Sequence, residues 1–171
     1  MADAVIAYGM CGRTCRLSIR GVARFGLGAR FEAFVRSLFT DDAVDTVEFD
    51  LTTADHLDST MLGLIARAAR YSAARSGRRP LIYSTCEDVT FLLETTGFDA
   101  CAEIVPRRPP DHGPMQELPQ VPETPRDRVA RVLDAHRTLM RLSQRNEAEF
   151  HDTVEALERE MSRHTDEQER T

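Results

Sequence analysis

A chain of 171 residues holds one domain with a real core plus an appendage, rather than two full domains. Its formal net charge of −6 argues against a non-specific nucleic-acid surface, which needs concentrated cations facing phosphates. No apolar run approaches the roughly 18 residues of a membrane span, and the N-terminal "MADAVIAYGM" carries an acid where a signal peptide has basic residues. Cytoplasmic residence with protein partners, and neither direct nucleic-acid nor membrane binding, is the expectation. Four cysteines (Cys11, Cys15, Cys86 and Cys101) are too few for a disulfide framework, and no second Cys or His pair completes a zinc site. No metal or other cofactor is expected.

In chain order, Val5 to Tyr8 and Cys15 to Ile19 read as two strands joined by a turn at "CGRT". Phe31, Phe34, Val35, Leu38 and Phe39 then fall at i, i+3, i+4, i+7 and i+8, an apolar helix stripe. Val47, Phe49 and Leu51 alternate with polar residues in a third strand, which enters a loop ending "DST". The next helix presents Leu62, Ile65, Ala66, Ala69 and Ala73 on one face and stops at Gly77. "PLIYS" is a short strand, and "TCED" at 85 to 88 has the spacing of a capping box for a helix that Gly97 closes. A last strand is expected across Cys101 to Val105. Helices interleaved with strands describe an α/β layer protein with an at least partly parallel mixed sheet over residues 1–105.

Seven of the eight prolines lie between Pro106 and Pro125, which reads as a linker. "TPRD" at 124 to 127 is a strong helix start, with a Thr cap, Pro at the first helical position and an acid at the third. From there Val129, Val132, Leu133, His136, Leu139, Met140, Ser143, Phe150, Val154, Leu157 and Met161 keep near-heptad spacing. That gives a C-terminal amphipathic segment over 126–165, its stripe of about 38 residues spanning about 57 Å if unbroken. Ser143 and Asn146 interrupt the stripe, so a kink or two shorter helices are also compatible with it. Residues 166–171 read as a frayed, solvated tail. The stripe must be buried against the first domain, against a second copy in a homo-oligomer, or in a partner's groove.

Ser59, taken by its position alone, is a good helix N-cap. A triad of His56, Asp58 and Ser59 is disfavoured: a His three residues before the Ser in one loop does not easily reach its hydroxyl while an Asp orients the ring, and no G-x-S-x-G elbow exists. No catalytic residue and no enzymatic activity are therefore expected. His136 lies on the apolar side of its helix with no second ligand at i+3 or i+4, and is read as a satisfied interface histidine.

Residues 47 to 99, "VEFDLTTADHLDSTMLGLIARAARYSAARSGRRPLIYSTCEDVTFLLETTGFD", resemble the STAS domains of bacterial anti-sigma factor antagonists. The shared features are an acidic strand end, a loop ending D-S-[ST]-G-L, an apolar helix, a short strand and a helix ending in T-G. The resemblance implies a STAS fold and a phosphoacceptor at Ser59. It also implies two partners, an anti-sigma factor that is itself a serine kinase and a metal-dependent serine phosphatase. Function would then be release of a sigma factor by partner switching. The alternative is a constitutive STAS subunit of a larger signalling or transport assembly, in which Ser59 only caps a helix. The family's Gly after D-S-[ST] is Met61 here, with Leu62 and Gly63 retaining its "LG". Asp55, Asp58, Thr60, Met61 and Leu64 are the candidate partner-binding residues, Met61 and Leu64 being off the main apolar stripe. The competing reading is that the helix is buried on a wide face.

Overall fold

The computed structural model describes residues 4–40 and 42–169, the side chains of 165–169 excepted. Strands β1 (Val5–Cys11) and β2 (Thr14–Ala23) form the expected antiparallel hairpin. Helix α1 (Gly28–Thr40) follows a single 3-10 turn, Phe25–Leu27, and buries Phe31, Val35 and Leu38. Strand β3 (Thr46–Leu57) lies parallel to β2, and its pairing shifts register at Ser18/Arg20 and again at Gly21/Val22. Then come α2 (Ser59–Ser76), β4 (Leu81–Tyr83), α3 (Glu87–Thr95) and β5 (Glu103–Val105), with β3, β4 and β5 all parallel.

The sheet order is β5-β4-β3-β2-β1-β6. Its central strand β3 sends Val47, Phe49 and Leu51, all fully buried, into the core with Leu17 and Ile19 of β2. This is the period-2 alternation doing its expected work. Helix α2 is tied to β3 by more than apolar contact, because the buried Ser72 hydroxyl oxygen accepts the Val47 amide at 2.9 Å. Gly77 ends α2 in the left-handed region at φ 71°, where a side chain would be strained, and its amide returns to Ala73.

Two expectations need correction. The helix at 87 begins at Cys86, whose side chain makes no capping hydrogen bond, so the box read from "TCED" does not form. Its acids Glu87 and Asp88 sit in the first turn instead, where they complement the helix dipole. The proline-rich stretch is more than a tether. It contributes β6 (Gln116–Glu117), antiparallel to β1, and buries Leu118. Its Pro110 carbonyl accepts a 2.6 Å hydrogen bond from Arg16, a nearly buried guanidinium also paired with Glu48. Proline density hid these contacts, since two ladder residues between prolines leave no periodic signal.

The capping box at Thr124 and Asp127 forms as read and opens α4 (Pro125–Met140). The stripe does break, at residues 141–143, before α5 (Gln144–Glu169) folds back along α4. Asn146, nearly fully buried, holds the turn: its amide donates to the Leu139 carbonyl at 2.8 Å and to the Thr96 carbonyl at 2.9 Å. Farther along, Arg137 pairs with Glu158 at 2.7 Å. Of the three places where the stripe could be buried, α4 takes the first domain, lying against α2. The tail continues the backbone of α5 to residue 169, and residues 170–171 lie outside the described residues.

Candidate functional site

The end of β3 delivers Asp58 in extended conformation, with its amide bonded to the Ala23 carbonyl at 3.1 Å. One carboxylate oxygen accepts the Met61 amide at 2.9 Å, and the other accepts the Phe25 amide at 2.6 Å. A single side chain thus caps α2 and pins the turn that opens α1. The cap is therefore Asp58 rather than Ser59. The capping position needs extended backbone, which the strand's last step supplies to Asp58, and Ser59 becomes the first helical residue with its hydroxyl free of that duty.

That hydroxyl lies 2.9 Å from Nε2 of His136 on α4, a histidine only 5% exposed. The other ring nitrogen, Nδ1, is 2.7 Å from the Val132 carbonyl. A carbonyl only accepts, so in the neutral ring Nδ1 carries the proton and Ser59 donates to the Nε2 lone pair. The Phe150 ring on α5 packs on the imidazole in a T-shaped pair, ring centroids 5.4 Å apart. His136 is thus a satisfied interface histidine, as its place on the stripe predicts. The partner it satisfies is 77 residues away, and sequence reasoning did not find it. His56 is exposed, and the imidazole facing Ser59 is not its own.

Of the other candidates, Asp55 is exposed and Asp58 is half-buried with both oxygens engaged internally. Thr60, Met61 and Leu64 are buried at 4%, 0% and 1% exposure. They offer nothing to a partner in this arrangement, because α2 is sandwiched between the sheet and α4 and has no free apolar face around them. A Cβ built on Gly63 would lie 2.2 Å from the Ala135 carbonyl oxygen, and one on Gly28 would lie 2.5 Å from Nε of Arg131. Gly63 is therefore the point of closest approach between α2 and α4, where no side chain fits without moving α4 backbone.

The approach of α4 is anchored at its start. Arg131 is buried and paired with Glu123, which also accepts from Arg128 at 2.8 Å. The Arg131 hydrogen bond is the main reason the Glu123 carboxyl is held below the usual glutamate range. Arg131 Nε stays buried without a hydrogen-bond partner.

All four cysteines are free, and burial pushes the Cys15 thiol up to about 12 and the Cys101 thiol to about 11. Among the described residues, His151, Asp152 and Glu155 on α5 bring one ligand atom each within 4.8 Å of one another, but all three are exposed. No helix of the described residues is long and apolar enough to cross a membrane.

No family model matches the sequence, and no curated protein matches it either. The fold does have a counterpart. The crystal structure of an anti-sigma factor antagonist from Mycobacterium paratuberculosis matches with a TM-score of 0.53 at 13% identity, over 61% of this chain and 87% of that one. The chain shares its fold with that anti-sigma factor antagonist. In this fold Ser59 starts the middle helix directly after the acidic loop.

Proposed function

We propose that the chain is an anti-sigma factor antagonist that works by partner switching under reversible phosphorylation of Ser59. The observation that carries this reading is the position of Ser59, first residue of α2, behind a cap supplied by Asp58, in a fold shared with an antagonist. The serine is not needed as the cap. Its modification therefore leaves the helix start intact.

The switch follows from electrostatics. The amides and partial positive charge of a helix N-terminus tolerate an anion, so a phosphoryl group there does not unfold its own protein. It adds −1.5 to −2 charges beside Asp55 and Asp58. Against a partner carboxylate about 6 Å away the cost is on the order of 1 to 5 kcal/mol, which is about one to four decades in affinity. In this reading the unmodified form captures an anti-sigma factor that is also the serine kinase. The phosphorylated form lets it go, and a metal-dependent serine phosphatase restores binding. The protein itself acts by binding, with no catalysis of its own.

The Ser59–His136 hydrogen bond favours a second reading, a constitutive STAS subunit in which Ser59 only ties α4 to α2. Peptide mapping of the chain recovered from its own cells separates the two. The switch predicts a gain of about 80 Da on the Ser59 peptide, with loss of the co-purifying protein in Ser59→Asp. The subunit predicts the same co-purifying protein with Ser59, Ser59→Ala and Ser59→Asp.

A further inference from the structure

The outer face of α2 is covered, but the cover is uneven. At its N-terminal half α4 comes to backbone contact over Gly63, where the Ala135 carbonyl oxygen fills the space of a side chain. The Ser59 hydroxyl and the His136 imidazole close that end. At the C-terminal half the two helices part around a cavity of about 320 Å³ lined by Arg67, Arg70, Tyr71, Ala74, Thr138 and Arg141. The contact also leaves Arg131 Nε buried and unbonded, so the fit is incomplete at its other end as well. Protein interiors are close-packed and nearly all their buried donors are paired. Here Ala135 and Leu139 of α4 meet that standard, while the cavity opens to solvent. Interfaces between separate proteins have a densely packed centre and a polar, solvent-accessible rim.

We infer that the outer face of α2, from Ser59 to Arg70, is a helix-receiving surface on which α4 is the resident occupant, and that a partner's helix docks by replacing α4. This deepens the partner-switching reading and rests on it. The surface dictates the occupant's chemistry. It must be an amphipathic helix whose backbone comes close over Gly63, as the Ala135 backbone does now, and a small residue at that point permits such an approach. It must bring a hydrogen-bond acceptor to the Ser59 hydroxyl, the role His136 now fills. An acidic side chain suits its far end, where Arg70 stays on α2 after α4 has left, Arg67 being already paired with Glu32. A phosphoryl group on Ser59 occupies the acceptor's place and bars either helix from this end of the face.

The probe is a labelled synthetic peptide of residues 124–143, titrated into the full-length chain. In the Leu133→Glu/Leu139→Glu variant the resident helix is expelled, and the peptide binds at least about tenfold tighter than to wild type. Adding Gly63→Leu to that variant removes the binding. Equal weak binding to both chains, or binding indifferent to Gly63→Leu, overturns the inference. Where the expelled variant does not fold, hydrogen exchange on the wild-type chain decides. The α4 amides exchange at least about tenfold faster than those of β2 and β3, through an opening of their own. Exchange of α4 at the same rate as the central strands overturns it. Neither readout uses a partner, so partner capture that ignores the charge at position 59 would refute the switch while leaving these results to stand or fall separately.

Discussion

Asp58 carries two helix starts on one carboxylate, and its removal has a calculable cost. In Asp58→Ala the Met61 amide loses its acceptor, a cap loss of about 1 kcal/mol. The Phe25 amide loses a short charge-assisted bond of 2.6 Å. Such a bond contributes about 1.5 to 3 kcal/mol in full, reduced here because water reaches that amide. The sum is about 1.5 to 3 kcal/mol, or about 3 to 12 °C in Tm for a chain of this size. Asp58→Asn keeps one acceptor oxygen and loses roughly half as much. Urea denaturation followed by circular dichroism measures both variants, and an unchanged m-value confirms that stability rather than compactness has moved. A loss below about 0.5 kcal/mol for Asp58→Ala would refute the reasoning, since surface substitutions that touch nothing fall in that range.

Asn146→Ala removes the two hydrogen bonds that hold the α4–α5 turn to Thr96 and Leu139, at a cost of about 1 to 3 kcal/mol by denaturant titration. A neutral result would mean that the turn is held by packing alone. At pH 8 a thiol-specific disulfide reagent labels exposed Cys11 at once, while Cys15 and Cys101, with thiols pushed to about 12 and about 11, stay unlabelled until denaturant is added. Labelling of either in the native state contradicts their burial. The Glu123 carboxyl is held low in the folded chain, so its stabilising contribution is complete above the ordinary glutamate range and is lost as pH falls through the lowered folded value. Protection of α4 amides should accordingly fall with acidification ahead of the central strands. Glu123→Gln should flatten that dependence, and the same pH profile in both proteins would show that another group controls it.

The α/β layer was legible because its strands alternate and its helices carry one-sided stripes, as at Val47, Phe49 and Leu51 and at Phe31, Val35 and Leu38. The capping box at Thr124 was legible because it is built from residues three apart. Long-range placement was not. For Met61 and Leu64 the sequence leaves partner contact and burial on a wide face equally open, because a helix with two apolar faces signals burial without saying what does the burying, and the structure buries both. Met61 shares the side of α2 on which Ser72 bonds to the Val47 amide and so faces the sheet, Leu64 lies beside Gly28 of α1, and α4 covers a different side, at Ser59 and Gly63. Two signals pointed to the pairing. A histidine on an apolar stripe requires a polar neighbour, and a glycine inside a helix, at a cost of about 1 kcal/mol against alanine, commonly marks a close approach. Ser59 and Gly63, one turn apart, were the matching surface for His136 and Ala135. The Asp58 bond to Phe25 joins residues 33 apart, and no local pattern encodes it.

The central claim is that negative charge on one hydroxyl decides which protein docks. Its most direct test is capture from an extract of the source cells on two full-length baits, one with Ser59 and one with phosphoserine installed at position 59, quantified by mass spectrometry. The account predicts an anti-sigma factor retained on the unmodified bait at least about tenfold over the phosphorylated one, equivalent to about 1.4 kcal/mol. Equal retention of that protein by both baits would contradict it.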